Sequence, residues 1–355
     1  MPNPSHSIKE ALESLGYNLI DNGDHWRTSA IYRGGSNQSA IAIYKDSGVW
    51  TDFGAGCESM PIDSLIGLSL GTEDPEKIKE VYSGSSNSQK KEVDYSEKIN
   101  TKAKVFDKST LSKLLPHYKF FIDRRISEND LRLVGGGLAM EGKMYQRYVF
   151  PVFDEYDRIV GFSGRNASPS SDRPKWKHIG EKSSWVYPAF LKDSKGNEFV
   201  LEAILDSNEV ILVESIGDVL AFWANGIYNV ICIFGLSTSS RIISFLVSNG
   251  VNSVVISLNK ELENGLLGSV KTYIKLLDFF DYDQIKICLP KSNDFGDMQR
   301  DGVSFSEWVD KKNSINPEEQ KLHILSYAEK YNKHKVNKRA SLSDAAFKKI
   351  KKELS

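Results

Sequence analysis

Read for apolar and polar positions alone, the chain changes rhythm along its length. Four short apolar runs in its second half, Val210-Ile211-Leu212-Val213, Val230-Ile231-Cys232-Ile233, Val254-Val255-Ile256 and Ile285-Lys286-Ile287-Cys288-Leu289, alternate with stretches of helical periodicity. Strands that are apolar at successive positions are buried on both faces, and their alternation with helices predicts a mostly parallel α/β sheet covered on both sides. Upstream, helical stretches from about Val105 to Leu133 give way to strands predicted at Tyr148 to Phe153 and Arg158 to Ser163. The first segment, Ser7 to about Val81, opens with an amphipathic helix carrying Ile8, Leu12 and Leu15. It then turns strand-like, where Ala40 to Tyr44 and Val49 to Phe53 flank Asp46-Ser47-Gly48, a hairpin signal in a small α+β domain. Between these regions residues 83–104 are rich in Ser and Lys and poor in apolar side chains, the composition of a flexible linker.

Composition narrows the class. With 355 residues, 40% hydrophobic and 11% aromatic, the chain can bury an ordinary core and divide into two or three domains. No apolar run approaches the roughly 18 to 20 residues of a membrane span. Met1 to Glu10 lacks the basic-then-apolar layout of a secretory signal, so a soluble, cytoplasmic protein without a membrane partner is expected. The cysteines, Cys57, Cys232 and Cys288, are too far apart for a disulfide framework or a Cys-x-x-Cys zinc site and read as buried thiols. Charge is balanced, 46 Lys and Arg against 47 Asp and Glu, which argues against a strongly basic nucleic-acid coat protein. From Lys333 onward eight basic residues face only Asp344 and Glu353, a patch suited to phosphates, to a partner, or to a solvated helix end.

Ligands of open parallel sheets gather at the carboxyl ends of strands. Three such ends carry acids or amides: Glu214 with Asp218, then Asn259-Lys260-Glu261, then Asp294 and Asp297. A hard cation such as Mg²⁺ is held by a few carboxylates together with water and phosphate oxygens, which neighbouring strand ends can supply. The plainer alternative is that these acids cap helices or face solvent.

Taken together, Val213-Glu214-Ser215-Ile216-Gly217-Asp218, Phe234-Gly235-Leu236-Ser237-Thr238, Ser257-Leu258-Asn259-Lys260-Glu261 and Lys291-Ser292-Asn293-Asp294-Phe295-Gly296-Asp297 resemble the glutamate, glycine and D-x-D motifs of the topoisomerase-primase (Toprim) family. The resemblance implies a divalent metal, Mg²⁺ or Mn²⁺, at Glu214, Asn259, Glu261, Asp294 and Asp297. Three positions depart from the pattern: Ser215 stands where a glycine is expected, and Asn259 and Glu261 replace the D-x-D pair. An amide oxygen coordinates but brings no charge, so binding should be weaker.

Upstream, Arg147-Tyr148-Val149-Phe150-Pro151-Val152, Gly161-Phe162-Ser163-Gly164-Arg165, Pro174-Lys175-Trp176-Lys177 and Trp185-Val186-Tyr187-Pro188 resemble, in order, segments of the bacterial and phage-type primase catalytic core. This resemblance spans about residues 105 to 310. It implies a DNA primase that makes short RNA primers on single-stranded DNA by metal-dependent nucleotidyl transfer from ribonucleoside triphosphates, in phage or bacterial replication. Arg147, Arg165, Lys175 and Lys177 would neutralise phosphates and Trp176 would stack on a base, with Glu214, Asn259, Glu261, Lys175 and Arg165 as the catalytic set. For a phage-encoded enzyme the location would be the host cytoplasm. Surface ion pairing is the plainer role for Arg165 and Lys175.

The first domain resembles the zinc ribbon that precedes such cores, through Trp26 to Ile31, the Tyr44 to Phe53 hairpin, Gly54-Ala55-Gly56 and Ile62 to Ile66. Only Cys57 and His25 are at hand as ligands, so no zinc is expected. Trp26, Tyr44, Trp50 and Phe53 are expected to hold its sheet by packing, with base stacking the alternative role. The expected organisation is thus residues 1–82 as a zinc-free template-binding domain, 83–104 as linker, 105–205 as the α+β primase subdomain, 206–315 as the Toprim domain and 316–355 as a basic segment contacting the replicative helicase. A Toprim nuclease, or a non-catalytic factor that binds single-stranded DNA and helicase, are the alternative functions.

Overall fold

The computed structural model describes residues 4–55, 59–84, 105–168, 173–260, 262–333 and 344–354. Its contacts divide the chain into two units, Met1–Lys102 with Ser240–Asn249, and Ala103–Ser239 with Gly250–Ser355. Cys57, Glu261 and positions 85–104 of the expected linker lie outside the described residues, while the helix Pro75–Gly84 runs through the linker's first two positions.

In the first unit, β1 (Ile20–Asp21), β2 (His25–Thr28), β3 (Ile41–Tyr44), β4 (Trp50–Asp52) and β5 (Ser59–Met60) form an antiparallel meander in sequence order. The hairpin read from sequence is present, with Ile43 opposite Trp50 and Ile41 opposite Asp52. Its turn needs Gly48, whose φ is +67° and whose missing Cβ would sit 3.1 Å from both Ile8 and Ile62 side chains. Helices Pro4–Ser14 and Ile62–Leu70 supply Leu12, Leu65 and Ile66 to a core built around Ile41, Ile43 and Trp50. The Trp50 indole is fully buried and donates to the Pro61 carbonyl at 3.0 Å and to Ser64 Oγ at 2.9 Å, so its polar edge is satisfied.

Beside that core the buried Asp52 carboxylate gathers five donors. Arg33 Nε and Tyr32 Oη reach Oδ2 at 2.7 and 2.8 Å, while Arg33 Nη2 and the amides of Gly54 and Ala55 reach Oδ1 at 2.9, 2.8 and 3.1 Å. Trp26, Tyr44 and Trp50 pack as expected, but Phe53 does not: it is 47% exposed, with the Arg27 guanidinium 4.6 Å over its ring. The strand ends at Asp52, and the chain turns outward before Phe53 can reach the core.

The second unit holds two sheets. The antiparallel sheet has the order β10-β9-β8-β7-β6, comprising β6 (Leu114–Leu115), β7 (Gly137–Ala139), β8 (Arg147–Phe153), β9 (Ile159–Asn166) and β10 (Trp176–Gly180). The parallel sheet has the order β12-β11-β13-β14, from β11 (Glu209–Val213), β12 (Val230–Cys232), β13 (Ser253–Ile256) and β14 (Ile285–Ile287). This is the parallel α/β sheet that the apolar runs predict, and Val210 to Val213 and Val254 to Ile256 are buried throughout. Cys232 and Cys288 are fully buried free thiols.

Register fixes the approach of β9 to β10. Gly161 faces Gly180, and this gap admits Trp185, 1% exposed, so closely that a Cβ on Gly161 would lie 2.1 Å from its ring. Two residues along, Ser163 faces His178. At the chain's end the helix Asp344–Leu354 packs on helices Leu262–Leu276 and Pro317–Lys333 through Ile350 and Leu354, both buried. Its Lys349 pairs with Asp278 at 2.6 Å, leaving Lys348 and Lys352 exposed. Among the described residues no helix is long and apolar enough to cross a membrane.

Candidate functional site

The site is assembled at the ends of β11 and β14 and along β10, all within the second unit. Val213 ends β11 inside the sheet, which delivers Glu214 to its carboxyl edge. Ser215 then begins the helix Ile216–Trp223. Asp218, in the first turn of that helix, accepts from Ser215 N at 3.1 Å and Ser215 Oγ at 2.7 Å. Its other oxygen accepts from the amides of Phe295 and Gly296 at 3.1 and 3.3 Å. A buried carboxylate with these partners ties the two strand-end loops together. Asp294 caps the helix Phe295–Asp301 by accepting from Asp297 N at 2.6 Å, and Phe295 anchors that helix by stacking 4.4 Å from Phe222 in the core. Burial, and then the neighbouring Asp294 carboxylate, raise the Asp218 carboxyl above its ordinary range.

Two cavities open here. The first, about 220 Å³, is lined by Arg124, Arg165, Lys175 and Arg300, by Phe120 and Trp176, and by Asp218, Asp294 and Asp297. Arg300 is paired with Asp297 at 2.6 Å, and Lys175 Nζ lies 3.5 Å from Asp294 Oδ2. Arg124 and Arg165 have no carboxylate partner among the described residues: Arg124 donates to the Phe120 carbonyl at 2.9 Å and Arg165 to the Lys175 carbonyl at 3.3 Å. The Phe120 ring lies under Arg124 at 3.7 Å and beside Arg165 at 5.4 Å, with Trp176 5.6 Å from Arg165. Burial, then the positive charge of Arg124, bring Arg165 down to about 10, so it remains a cation at neutral pH. Two such guanidiniums, framed by aromatic rings, have the chemistry to meet a phosphate beside a planar group.

The second cavity, about 240 Å³, has the opposite character. Glu214, Asn259, Ser163 and His178 line it, together with Phe234 and with Lys175, Trp176 and Ser215, which it shares with the first. Asn259 is 9% exposed, and its Oδ1 is buried without a hydrogen-bond partner. Ser163 Oγ and His178 Nδ1 are also buried and unpartnered. Orphaned buried polar atoms are rare in native proteins and mark a missing ligand, ion or water. Asn259 Oδ1 is an acceptor beside a glutamate, and a divalent cation is the chemistry this pair fits. Among the described residues no group of three or more His, Cys, Asp or Glu is placed to hold a metal.

The structure therefore brings Glu214 and Asn259 to one cavity and Asp294 and Asp297 to the other, with Lys175 and Trp176 between. Two of the expected cations stand outside both cavities. Arg147 is 3% exposed, and its guanidinium donates to the carbonyls of Gly164 and Pro174 at 3.1 and 2.9 Å, clamping β9 to the segment before β10. Lys177 lines neither cavity, because strand alternation turns it away from Trp176 and His178, and its Nζ donates to the Lys143 carbonyl at 2.8 Å.

The chain resembles known proteins over part of its length. No protein-family model matches the chain. A DNA primase of Legionella pneumophila is 29% identical over 135 residues, 36% of this chain and 23% of that protein. A DNA primase of Borreliella burgdorferi is 29% identical over 196 residues, 54% of this chain and 35% of that protein. The similarity is to bacterial DNA primases. The chain spans between a quarter and about a third of the length of these relatives. Among solved structures a DnaG catalytic core matches with a TM-score of 0.47 and 16% identity, covering 67% of this chain and 89% of that one.

Arg124, Phe120, Arg300, Ser163 and His178 were missed as site residues by sequence reasoning. Phe120 and Arg124 are four apart at the Lys119–Ile122 helix, and that spacing of an aromatic and an arginine was a readable signal. Arg300 sits one helical turn from Asp297, a spacing that was also readable, whereas Ser163 and His178 meet only through the pairing of β9 with β10.

Proposed function

We propose that this chain is a primase-type nucleotidyltransferase that synthesises short RNA primers on single-stranded DNA. The observation that carries the reading is the pair of cavities joined at Lys175, Trp176 and Ser215, one rich in cations and rings, the other in hydrogen-bond acceptors beside Glu214. Phosphoryl transfer asks the protein to position groups and to neutralise charge, and these are the residues such work needs. Arg124, Arg165 and Lys175 would hold the triphosphate of an incoming ribonucleotide, and Trp176 would stack on its base or on the template. Glu214 and Asn259, with Glu261, Asp294 and Asp297 nearby in the motifs, would hold Mg²⁺ or Mn²⁺. A bound divalent ion supplies charge neutralisation and lowers the pKa of the attacking hydroxyl. Asp218 would keep the Glu214 and Asp294 loops in register.

The same proposal covers the domain roles: residues 1–82 as a zinc-free template reader, 105–205 and 206–315 as the two halves of the catalytic core, and 316–355 as the helicase contact, through Lys348 and Lys352. Asn259, lacking charge, favours one second reading, a factor that binds single-stranded DNA and helicase without catalysis. The deciding experiment incubates the protein with single-stranded DNA, labelled ribonucleotides and Mg²⁺ or Mn²⁺. Short RNA products that disappear in Glu214→Gln and increase in Asn259→Asp support the primase. No product from either the native chain or Asn259→Asp, with DNA binding intact, supports the accessory factor.

A further inference from the structure

The acceptor-lined cavity contains a side chain that the proposed reaction does not use. His178 lies on β10 with its ring edge-on to Phe234 at 5.5 Å and to Trp185 at 6.0 Å, a fixed orientation. Phe234 is itself held at a φ of +55°, with its carbonyl accepting from Lys182 Nζ at 3.1 Å. A histidine that served only to fill space would be expected to pair its buried nitrogen, yet Nδ1 has no partner. Across the strand pair Ser163 is fully buried with its hydroxyl equally unpartnered, and Glu214 lines the same cavity, which also receives the unpartnered Asn259 Oδ1.

We propose that His178 is a nitrogen ligand of the divalent cation held by Glu214 and Asn259, and that it makes this cavity select a first-row transition ion, with Mn²⁺ as the probe, over Mg²⁺. This inference rests on the metal site of the proposed function. Mg²⁺ requires near-octahedral oxygen donors and gains little from an imidazole, whereas Mn²⁺ accepts carboxylate, amide oxygen and imidazole together. The amide at Asn259 removes one negative charge from the site, which costs the harder, more strongly hydrated ion most. Imidazole restores donor strength only for the softer one.

The test uses the full chain. Mn²⁺ and Mg²⁺ binding are measured by calorimetry, and Mn²⁺ is examined by pulsed electron paramagnetic resonance on protein with ¹⁵N-labelled histidine. Native protein, His178→Gln and Glu214→Gln are compared, each checked for native circular dichroism. The expected result is a directly coordinated histidine nitrogen that vanishes in His178→Gln, with Mn²⁺ affinity falling by about tenfold or more and Mg²⁺ affinity changing less than about twofold. Mn²⁺ binding lost in Glu214→Gln, but with no histidine nitrogen coupling in the native protein, overturns the role of His178 and leaves the metal site standing. Mn²⁺ binding indifferent to Glu214→Gln overturns both.

Discussion

Replacing Asp52 with asparagine keeps the size of the side chain and removes the charge that five donors surround. The Arg33 guanidinium, then the Tyr32 hydroxyl and the Gly54 amide, lower the Asp52 carboxyl from its ordinary 3.8 to about 2 against the opposing effect of its burial. At about 1.4 kcal/mol per pH unit the ionised carboxylate contributes roughly 2 kcal/mol to the folded state, about a 30-fold change in the opening equilibrium. The folded pKa lies below the unfolded one. The contribution is therefore complete above about pH 4 and is lost as pH falls through about 2. The asparagine amide keeps one oxygen that accepts from Arg33 but sets an NH2 group facing the donors of the other oxygen, so Asp52→Asn should lose about that amount at pH 7. Hydrogen exchange of the Ile41–Tyr44 and Trp50–Asp52 amides in the full chain reads it directly: exchange about 30-fold faster in the variant is expected where the strands open locally. The stability difference between variant and native protein, followed by urea unfolding, should shrink between pH 4 and pH 2. Exchange within about threefold of native at pH 7 would show that the cluster is a solvated surface pair and that the sheet is held by its apolar core alone.

Two further outcomes follow from the second unit. Gly161→Ala places a methyl 2.1 Å from the Trp185 ring and 2.9 Å from the Ile179 carbonyl. It should cost about 3 kcal/mol or more, seen as a lower urea midpoint and a weakened near-ultraviolet tryptophan signal. Arg124→Ala and Arg165→Ala should each weaken ribonucleoside triphosphate binding by about 10- to 100-fold in calorimetry, the worth of a charge-assisted contact, while Lys177→Ala changes it less than about twofold.

Legibility of this fold from sequence tracked burial. Strands β11 to β13 were readable because both faces of the parallel sheet are covered there, which writes an unbroken apolar run into the sequence, while the edge strand β14, interrupted by Lys286 and only partly buried, was read from its flanking isoleucines. Strand β10 was not read as a strand: Trp176, His178 and Ile179 are only half buried and the residues between them are polar, so no period stands out. The short β6 and β7 carry too few residues for any pattern. In the site, Glu214, Asp294, Arg165, Lys175 and Trp176 were legible because each follows or opens a recognisable segment. The burial of Arg147 was not legible: an arginine beginning an apolar strand looks like an exposed cation, and only the tertiary structure shows the Gly164 and Pro174 carbonyls it donates to. His178 carried no local signal, because its environment is made by Phe234, Trp185 and Ser163 from three other places in the chain.

Lys175, Trp176 and Ser215 form a party wall between the two cavities. A ligand that draws the Lys175 ammonium away from Asp294, 3.5 Å distant, changes the field in both chambers at once. Reciprocity then requires that whatever factor an anion in one chamber adds to cation affinity in the other, the cation returns to the anion. On the proposed reading, the metal and the phosphates would be coupled through the one ammonium that both chambers share.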